Sequence, residues 1–561
     1  MKRTHLFMVG AVVLITAVTG GWMFSQHADD DLFELKKNFE IFGALYQEII
    51  INYVDDVRPG PFMTAGVDAM MSRLDPYTRY FDQAVNLDMD LIRRGPLGDV
   101  GLNIGMRNGR ITVLAPEAET SAYLQGVRTG DVIRVVSGIE TAELTVQDVA
   151  GLLQGVSGSS VTIAVERQGE PRTLVFTLQR SISRIENVSY AGYLDDNHEA
   201  GIGYVRLSKF GARSAREIRR ALRGMARTHG LKTVVLDLRD NPGGILSEAI
   251  ETLSLFVPKG TPVVSTRGRI DGITQNYSTQ DDPFFEDVPV IVLVNRISAS
   301  ASEIVAGAFQ DLDRGVIIGE TTFGKGLVQV MRQLPYNTSM KLTVGHYYTP
   351  SGRDIQSWEI ASAAAHVASP EIKSFRTTSG RMVRSGVGIE PDIHVALIAE
   401  SELEAAINRS GAFFQFAGDF VAQHGEVDPE LFDLDDDEIF SSFQSWLDDT
   451  GFKYESRSEI LMDSLASQLV GSGYQNAAEQ LETVRATARQ EQRQDVNRYR
   501  DRIISRLRKG IFARYLTEPQ QVGRSLDRDP VVAELGNSPG PRTRFMSFLD
   551  YERLNRVFHA D

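Results

Sequence analysis

The stretch from Val294 to Val330 contains Asn295-Arg296-Ile297-Ser298-Ala299-Ser300-Ala301-Ser302-Glu303-Ile304 and, after an apolar run, Gly319-Glu320-Thr321-Thr322-Phe323-Gly324-Lys325-Gly326-Leu327-Val328-Gln329. A serine-rich turn here separates a strand-like run from a helix, and a lysine between two glycines follows. A serine hydroxyl needs a base within hydrogen-bond reach. Lys325 can be that base only if burial lowers its pKa from about 10.4 towards roughly 7 to 8. The stretch therefore predicts a serine–lysine nucleophile site.

Other chemistries fit this stretch less well. The pattern Gly-x-x-x-x-Gly-Lys-Ser/Thr of phosphate-binding loops is missing, because Leu327 follows Lys325-Gly326. The nearest downstream histidine is His346, which has no obvious acid partner in the sequence, so a Ser-His-Asp arrangement has little support. Gln329 is predicted to hydrogen-bond the lysine amine without adding a charge. A serine turn and a lysine between glycines are still a weak signal alone, since such lysines usually lie in surface loops.

A second glycine turn lies upstream and is predicted to meet the serine turn. The apolar run Thr233 to Leu238 reads as a fully buried strand, and Arg239-Asp240-Asn241-Pro242-Gly243-Gly244 separates it from a helix-like run. A turn of this kind places backbone N–H groups at a helix N-terminus, where they stabilise an oxyanion. Val290 to Val294 is a second buried strand that leads into the serines. Two strand ends at one crevice indicate an α/β core.

Residues from Gly95 to about Arg180 change to short β-type runs separated by glycine turns. Gly126-Val127-Arg128-Thr129-Gly130-Asp131-Val132-Ile133 and the earlier Gly98-Asp99-Val100-Gly101-Leu102-Asn103-Ile104 resemble a PDZ domain. The resemblance implies that a peptide adds as a strand beside the domain's own edge. It places the peptide-binding residues at Val100, Gly101, Leu102, Asn103 and Ile104. A small β-rich spacer is the alternative interpretation.

The order of these motifs resembles the carboxyl-terminal processing peptidases, also called tail-specific proteases, over about residues 33 to 395. Leu74-Asp75-Pro76 and Gly388-Ile389-Glu390-Pro391-Asp392 add to the match. The resemblance implies an α/β multidomain protein: a crotonase-like peptidase core, an inserted β-rich PDZ-like domain, a helical N-terminal lead-in and a helical C-terminal extension. The site residues that it implies are the nucleophile Ser300, the base Lys325, the orienting Gln329, and an oxyanion hole from Ala301 with Gly243 or Gly244.

Composition limits the partners. The 561 residues carry a formal charge of −15, which argues against a general nucleic-acid binder. Cysteine is absent and the nine histidines are scattered, so no metal and no cofactor are predicted. Asp433-Leu434-Asp435-Asp436-Asp437 fails as a calcium loop, because Glu438 stands where that loop needs glycine. Lys2 and Arg3 precede the uncharged run Leu6 to Phe24, which predicts an export signal, with an uncleaved membrane anchor preferred over a cleaved peptide.

The predicted domains are a signal or anchor at 1–28, a helical domain at 29–94, a PDZ-like domain at 95–180, a peptidase core at 181–397 and a helical domain at 398–561. Arginines interleaved with acids in the last domain indicate structural helices. We expect a serine endopeptidase on the periplasmic side of the inner membrane that acts on proteins with exposed C-terminal tails, with homo-oligomerisation left open. The Ala-rich run Ile360 to Ala368 is expected to be part of a surface hairpin or a flap. The alternatives are a catalytically silent peptide-binding scaffold and a CoA-ester enzyme.

Overall fold

The computed structural model describes residues 33–81, 97–181, 187–194, 200–358, 372–395, 400–425, 427, 433–492 and 494–536. The predicted segments Leu6 to Phe24 and Ile360 to Ala368 lie outside these residues. The chain divides into two compact units, Met1–Tyr80 and Phe81–Asp561. Within the described residues, no helix is both long and apolar enough to cross a bilayer. The predicted domain boundaries stay predictions.

The first unit contains two helices, α1 (residues 33–52) and α2 (Pro59–Met71). They meet where Tyr46 stacks on Phe62 with ring centroids 5.9 Å apart. Apolar side chains of α1 are largely exposed, among them Phe39 at 78 % and Leu35 at 67 %.

The strands and helices that follow are described in chain order. A short strand, β1 (Arg79–Phe81), lies at the boundary between the units. The PDZ-like region contains β2 (Leu97–Gly98), β3 (Leu102–Arg107), β4 (Arg110–Pro116), α3 (Ser121–Leu124), β5 (Val132–Val136), β6 (Ile139–Glu140), α4 (Val146–Leu153), β7 (Gly155–Val156), β8 (Ser160–Glu166) and β9 (Leu174–Gln179). The core contains β10 (Val188–Tyr193), β11 (Ile202–Leu207), α5 (Ser214–Thr228), β12 (Thr233–Asp237), α6 (Leu246–Leu253), β13 (Pro262–Gly268), β14 (Gln275–Ser278), β15 (Val290–Val294), α7 (Ala301–Asp311), β16 (Gly315–Gly319), β17 (Leu327–Leu334), β18 (Thr338–Tyr348), β19 (Ser374–Arg376), β20 (Met382–Arg384) and β21 (Ile393–His394). The C-terminal part contains α8 (Glu402–Ser410), α9 (Ala412–His424), α10 (Asp436–Asp449), α11 (Arg457–Gly471), α12 (Gln475–Gln492), α13 (Asp495–Arg498), α14 (Arg500–Tyr515), α15 (Glu518–Leu526) and α16 (Pro530–Gly536).

The PDZ-like sheet has the strand order β3-β4-β5-β8-β9, so β3 lies at its edge. Its inward-facing side chains are fully buried, among them Val113, Val136 and Ile163. The capping box of Thr145 and Asp148 fixes the start of helix α4. An exposed edge strand of this kind is a template for an added peptide strand.

The core sheet has the order β10-β11-β12-β15-β16-β21. Strand β10 is antiparallel to β11, and the other neighbours run parallel. Every residue of β12, β15 and β16 is buried, because layers cover both faces of the sheet. Helices α5, α6 and α7 pack against one face. A second sheet contains the antiparallel pairs β13–β14, β13–β18 and β17–β18.

The other face of the core sheet is covered by the end of the C-terminal region. Val522, Leu526, Val531 and Val532 pack on apolar residues of the sheet's strands. Helices α8, α9, α10 and α14 bury their own aromatic cluster around Phe443. The arginines of this region pair with acids, as in Arg485–Asp463, Arg489–Glu459 and Arg508–Asp436. The prediction of structural helices is confirmed, but the last two helices also complete the peptidase core.

Candidate active site

Ser300 lies in the turn between strand β15 and helix α7. Its backbone has φ 56° and ψ −112°, in the left-handed region that non-glycine residues seldom adopt. Such strain at a strand-to-helix turn holds a side chain outwards at the end of a sheet. Ser300 is partly exposed and directly precedes the first turn of the helix.

The two neighbouring serines are fully buried, and their hydroxyls already donate hydrogen bonds. The Ser298 hydroxyl donates to the Leu238 carbonyl at 2.8 Å, and the Ser302 hydroxyl donates to the Asn241 carbonyl at 3.0 Å. Both bonds fasten the serine turn to the upstream glycine turn, as the sequence predicted. Of the three serines, Ser300 is the one that is partly exposed.

A buried glutamate that sequence reasoning did not assign holds the serine turn and the lysine loop together. Glu303 has no exposed surface, and its Oε2 accepts the backbone N–H groups of Ser300 and Lys325, each at 2.8 Å. Its Oε1 accepts the Gly324 N–H and the Thr322 hydroxyl, each at 2.6 Å. The backbone N–H groups of Ser300 and Lys325 therefore donate to the same oxygen atom. A glutamate three residues after Ser300 at the start of a helix is the capping-box signal that could have identified it.

Burial raises the pKa of the Glu303 carboxyl to about 7, and the hydrogen bonds from Thr322, Lys325, Ser300 and Gly324 act in the opposite direction. The low polarity around this carboxyl disfavours its charged form, while four donors favour it. Its protonation state is consequently balanced near neutral pH.

Lys325 follows Gly324 in the loop between β16 and β17, and its side chain is partly buried. Burial lowers the pKa of the Lys325 amine, the charge of Lys341 lowers it further, and the charge of Glu303 raises it. A lowered pKa is what a lysine needs to act as a general base. Gln329 lies in β17 opposite Thr343, and its Nε2 is buried with no hydrogen-bond partner among the described residues. Its role in orienting Lys325 stays a prediction.

The upstream glycine turn packs directly on the serine turn. A Cβ on Gly243 would lie 2.9 Å from the Ala301 nitrogen and 2.5 Å from the Ala299 oxygen. The Gly243 N–H already donates to Asn241 Oδ1 at 2.9 Å, so it is not available to a ligand. Of the two glycines named from the sequence, Gly244 is therefore the better partner for Ala301. In the described part of the chain, neither of these two N–H groups has a protein acceptor.

His346 departs from the expectation that it lacks an acid partner. Its Nδ1 lies 2.9 Å from Asp354 Oδ2, at the start of the strand-like segment that passes beside Gly324 and Gly326. The partner is eight residues away in sequence but returns through a tight turn, which the sequence pattern did not reveal.

The matches to known proteins fall on these same regions. Residues 201–366 match Peptidase family S41, residues 112–167 match a PDZ domain, and residues 403–534 match the "Probable PDZ-protease, C-terminal helical domain". The carboxy-terminal-processing protease of Bartonella bacilliformis is 35 % identical over 359 residues, which are 64 % of this chain and 80 % of that protein. The chain belongs to the carboxyl-terminal-processing proteases.

Further relatives of this family include the carboxyl-terminal-processing protease of a Synechocystis species, 34 % identical over 52 % of this chain and 67 % of that protein. Among solved structures, the photosystem II D1 C-terminal processing protease is 27 % identical, covers 62 % of this chain and 85 % of that chain, and has a TM-score of 0.36. The protein is a serine-type peptidase with a PDZ domain, and its substrates are proteins.

The predicted peptide-binding loop of this protease forms the start of the edge strand. Val100 is fully buried in the PDZ core, so only its backbone is available to a peptide. Gly101 has φ 77°, and its N–H donates to Asp99 Oδ1. Leu102, Asn103 and Ile104 begin strand β3 and pair with β4 on one side. The geometry is compatible with strand addition along β3, but the loop already satisfies one of the N–H groups expected to bind a carboxylate.

The C-terminal region of the protease contacts the upstream glycine turn, residues 239–244, through an ion pair. Arg239 NH2 lies 2.7 Å from Asp529 and 2.6 Å from Asp237, the last residue of β12. Asp529 Oδ1 also accepts the Val531 N–H at 2.9 Å, which caps helix α16. In the parts of the chain that the structure describes, no group of three or more His, Cys, Asp or Glu side chains is placed to hold a metal ion.

Proposed function

We propose that this protease is an endopeptidase that cuts protein substrates at Ser300, with Lys325 as the base, after the PDZ-like domain binds an unstructured C-terminal tail. The shared carboxylate of Glu303 is the observation that carries the proposal. It holds the backbone nitrogens of Ser300 and Lys325 each 2.8 Å from one oxygen, although the two residues are 25 positions apart in sequence. The lowered pKa of Lys325 supports its role as the base.

In this mechanism the neutral Lys325 amine takes the Ser300 proton as the serine oxygen attacks the peptide carbonyl. The tetrahedral oxyanion accepts hydrogen bonds from the Ala301 and Gly244 N–H groups. The carbon–nitrogen bond breaks, and the Lys325 ammonium gives its proton to the leaving amine. Water then attacks the ester, Lys325 takes a proton from it, and the Ser300 oxygen leaves and recovers that proton.

The test is degradation of an unfolded reporter with and without an apolar C-terminal tail. The Ser300→Ala variant should have no activity. Lys325→Arg should also have none, because guanidinium does not deprotonate in proteins. Lys341→Arg is the matched control, and it should stay within about threefold of wild type because it keeps the neighbouring charge.

A Ser300→Ala protein that still cuts the reporter at the wild-type rate would refute the catalytic assignment. Equal degradation of tailed and untailed reporters would refute tail recognition and leave the catalytic assignment intact. No observation in the structure favours the silent scaffold or the CoA-ester enzyme.

A further inference from the structure

A row of arginines follows the solvent-facing side of helix α5. We call it the arginine stripe, and its five exposed members are Arg213, which directly precedes the helix, and Arg216, Arg220, Arg223 and Arg227 within it. Alternating spacings of three and four residues place side chains on one face of a helix. The whole chain has a formal charge of −15, so this positive surface contrasts with the rest of the molecule.

The stripe is not neutralised by acidic partners. Among the described residues, none of its five guanidinium groups forms an ion pair, whereas arginines of the C-terminal region do so repeatedly. The acidic residue of the helix itself, Glu217, is occupied by the backbone and side chain of Asn187 at 2.7 and 3.0 Å. Arg223 stacks on Phe284 with its guanidinium carbon 4.6 Å from the ring centre. Glu251 lies near Arg216, and Asp281 lies near Glu251, so these two carboxylates offset part of the local charge.

The stripe begins beside the upstream glycine turn, which the proposed function assigns to the oxyanion. Phe210 exchanges backbone hydrogen bonds with Gly243 and Ile245, at 2.9 and 2.8 Å, three residues before the stripe starts. The Arg213 N–H donates to Glu248 of helix α6 at 2.6 Å. An α-helix rises about 1.5 Å per residue, so the stripe runs for about 20 Å away from this point. An extended peptide covers that length with about six residues.

From this arrangement we infer that the arginine stripe binds an acidic segment of the substrate, so that the protease prefers polypeptides carrying about six Asp or Glu residues next to the cleaved region. Guanidinium groups bind carboxylates with paired hydrogen bonds. A row of unpaired positive charge also speeds the arrival of an acidic chain, by about 10- to 10³-fold in strong cases, and salt screens the effect. Because the stripe begins beside the upstream glycine turn, a segment of the substrate is favoured over an anionic lipid surface as its ligand. The inference rests on the proposed function.

The experiment measures kcat/KM of the full chain for three peptides that share one cleavage segment and one tail but differ in a flank of six acidic, neutral or basic residues. At about 50 mM salt the acidic peptide should be cut about tenfold faster than the neutral one, and at about 500 mM salt the ratio should approach one. The variant with Arg216→Gln, Arg220→Gln, Arg223→Gln and Arg227→Gln should lose the preference and keep the neutral rate within about twofold.

The matched control carries the same change of charge at scattered exposed positions: Arg172→Gln, Arg269→Gln, Arg332→Gln and Arg409→Gln. It should keep the preference for the acidic peptide. A ratio near one in the wild-type protein, or an unchanged ratio in the stripe variant, overturns the inference while cleavage itself upholds the proposed function. Absence of cleavage of every peptide overturns both. If the stripe variant loses binding to phosphatidylglycerol vesicles and keeps its peptide preference, the stripe faces lipid and the inference is wrong.

Discussion

Replacing Glu303 by glutamine should separate catalysis from folding in this protease. The wild-type carboxylate accepts four hydrogen bonds, two on each oxygen. A glutamine amide has one accepting oxygen, so its NH₂ group must face either the Ser300 and Lys325 N–H groups or Gly324 and Thr322. The second orientation costs less, because the Thr322 hydroxyl can turn and accept, but it leaves the Gly324 N–H without a partner.

One unsatisfied buried donor costs about 1 to 3 kcal/mol, and each 1.36 kcal/mol is a factor of ten in rate. If this cost appears as misplacement of the lysine loop, kcat should fall by about 10- to 100-fold with KM changed less than about threefold. The matched control is Glu320→Gln, a glutamate of the same loop that pairs instead with the exposed Arg296. It should retain activity within about threefold.

The pH dependence of activity tests whether Glu303 has more than a structural role, because a purely structural role would not change it. As pH falls, wild-type activity should decrease through protonation of both Lys325 and Glu303, whose pKa is about 7. Glutamine does not titrate, so the acid limb of the variant should have the slope of one ionisation. Removal of the Glu303 charge, which raises the pKa of Lys325, should also move that limb to lower pH. Unchanged kcat, or an acid limb with the wild-type slope and midpoint, would refute the reasoning.

Three further outcomes are expected. Gly243→Ala should lose about 100-fold in activity or more, because the added methyl group would press on the Ala299 oxygen and the Ala301 nitrogen. Gly380 is also at positive φ, but a Cβ there would have no neighbouring atom within 4 Å, so Gly380→Ala should keep full activity in the peptide assay. Asp529→Ala should lower the free energy of unfolding by about 1 to 3 kcal/mol in urea titrations, because it removes a helix cap and the partner of Arg239, and an unchanged midpoint would contradict this. Burial raises the folded-state pKa of Glu303 to about 7, so its stabilising contribution is complete below about pH 4.5 and is lost as pH rises through about 7. Glutamine does not titrate, so between pH 5 and 8 the free energy of unfolding of Glu303→Gln should rise by about 3 kcal/mol relative to that of wild type in the same titrations.

Much of the fold could be predicted because its signals are local. The runs Thr233 to Leu238 and Val290 to Val294 are mostly apolar and β-branched, which is the signal of a strand buried on both faces, and they became β12 and β15. The glycine pattern around Gly126 and Gly130 indicated the PDZ domain, and both residues have positive φ in tight turns. The exposure of the apolar side chains of α1 could not be predicted in this way, because burial depends on tertiary packing.

The candidate site was predictable as a set of residue types but not as a set of contacts. The resemblance pointed to Ser300. The structure shows how Ser300 differs from its neighbours, because the hydroxyls of Ser298 and Ser302 already donate hydrogen bonds to carbonyls about 60 residues upstream. Gly243 and Gly244 looked equivalent in sequence until the Asn241 side chain was found to accept the first N–H. Such choices depend on hydrogen bonds between loops, which no local pattern encodes.

The sequence by itself determined the α/β core, the PDZ domain, the serine turn and the lysine between glycines, because period, turn residues and apolar runs act over a few positions. Only the tertiary structure decided that Glu303 joins the serine turn to the lysine loop and that the C-terminal helices cover the second face of the core sheet. The physical reason is that a buried carboxylate or an apolar sheet face must be satisfied by whatever the fold brings to it. Its partners are therefore set by packing in space and not by proximity along the chain.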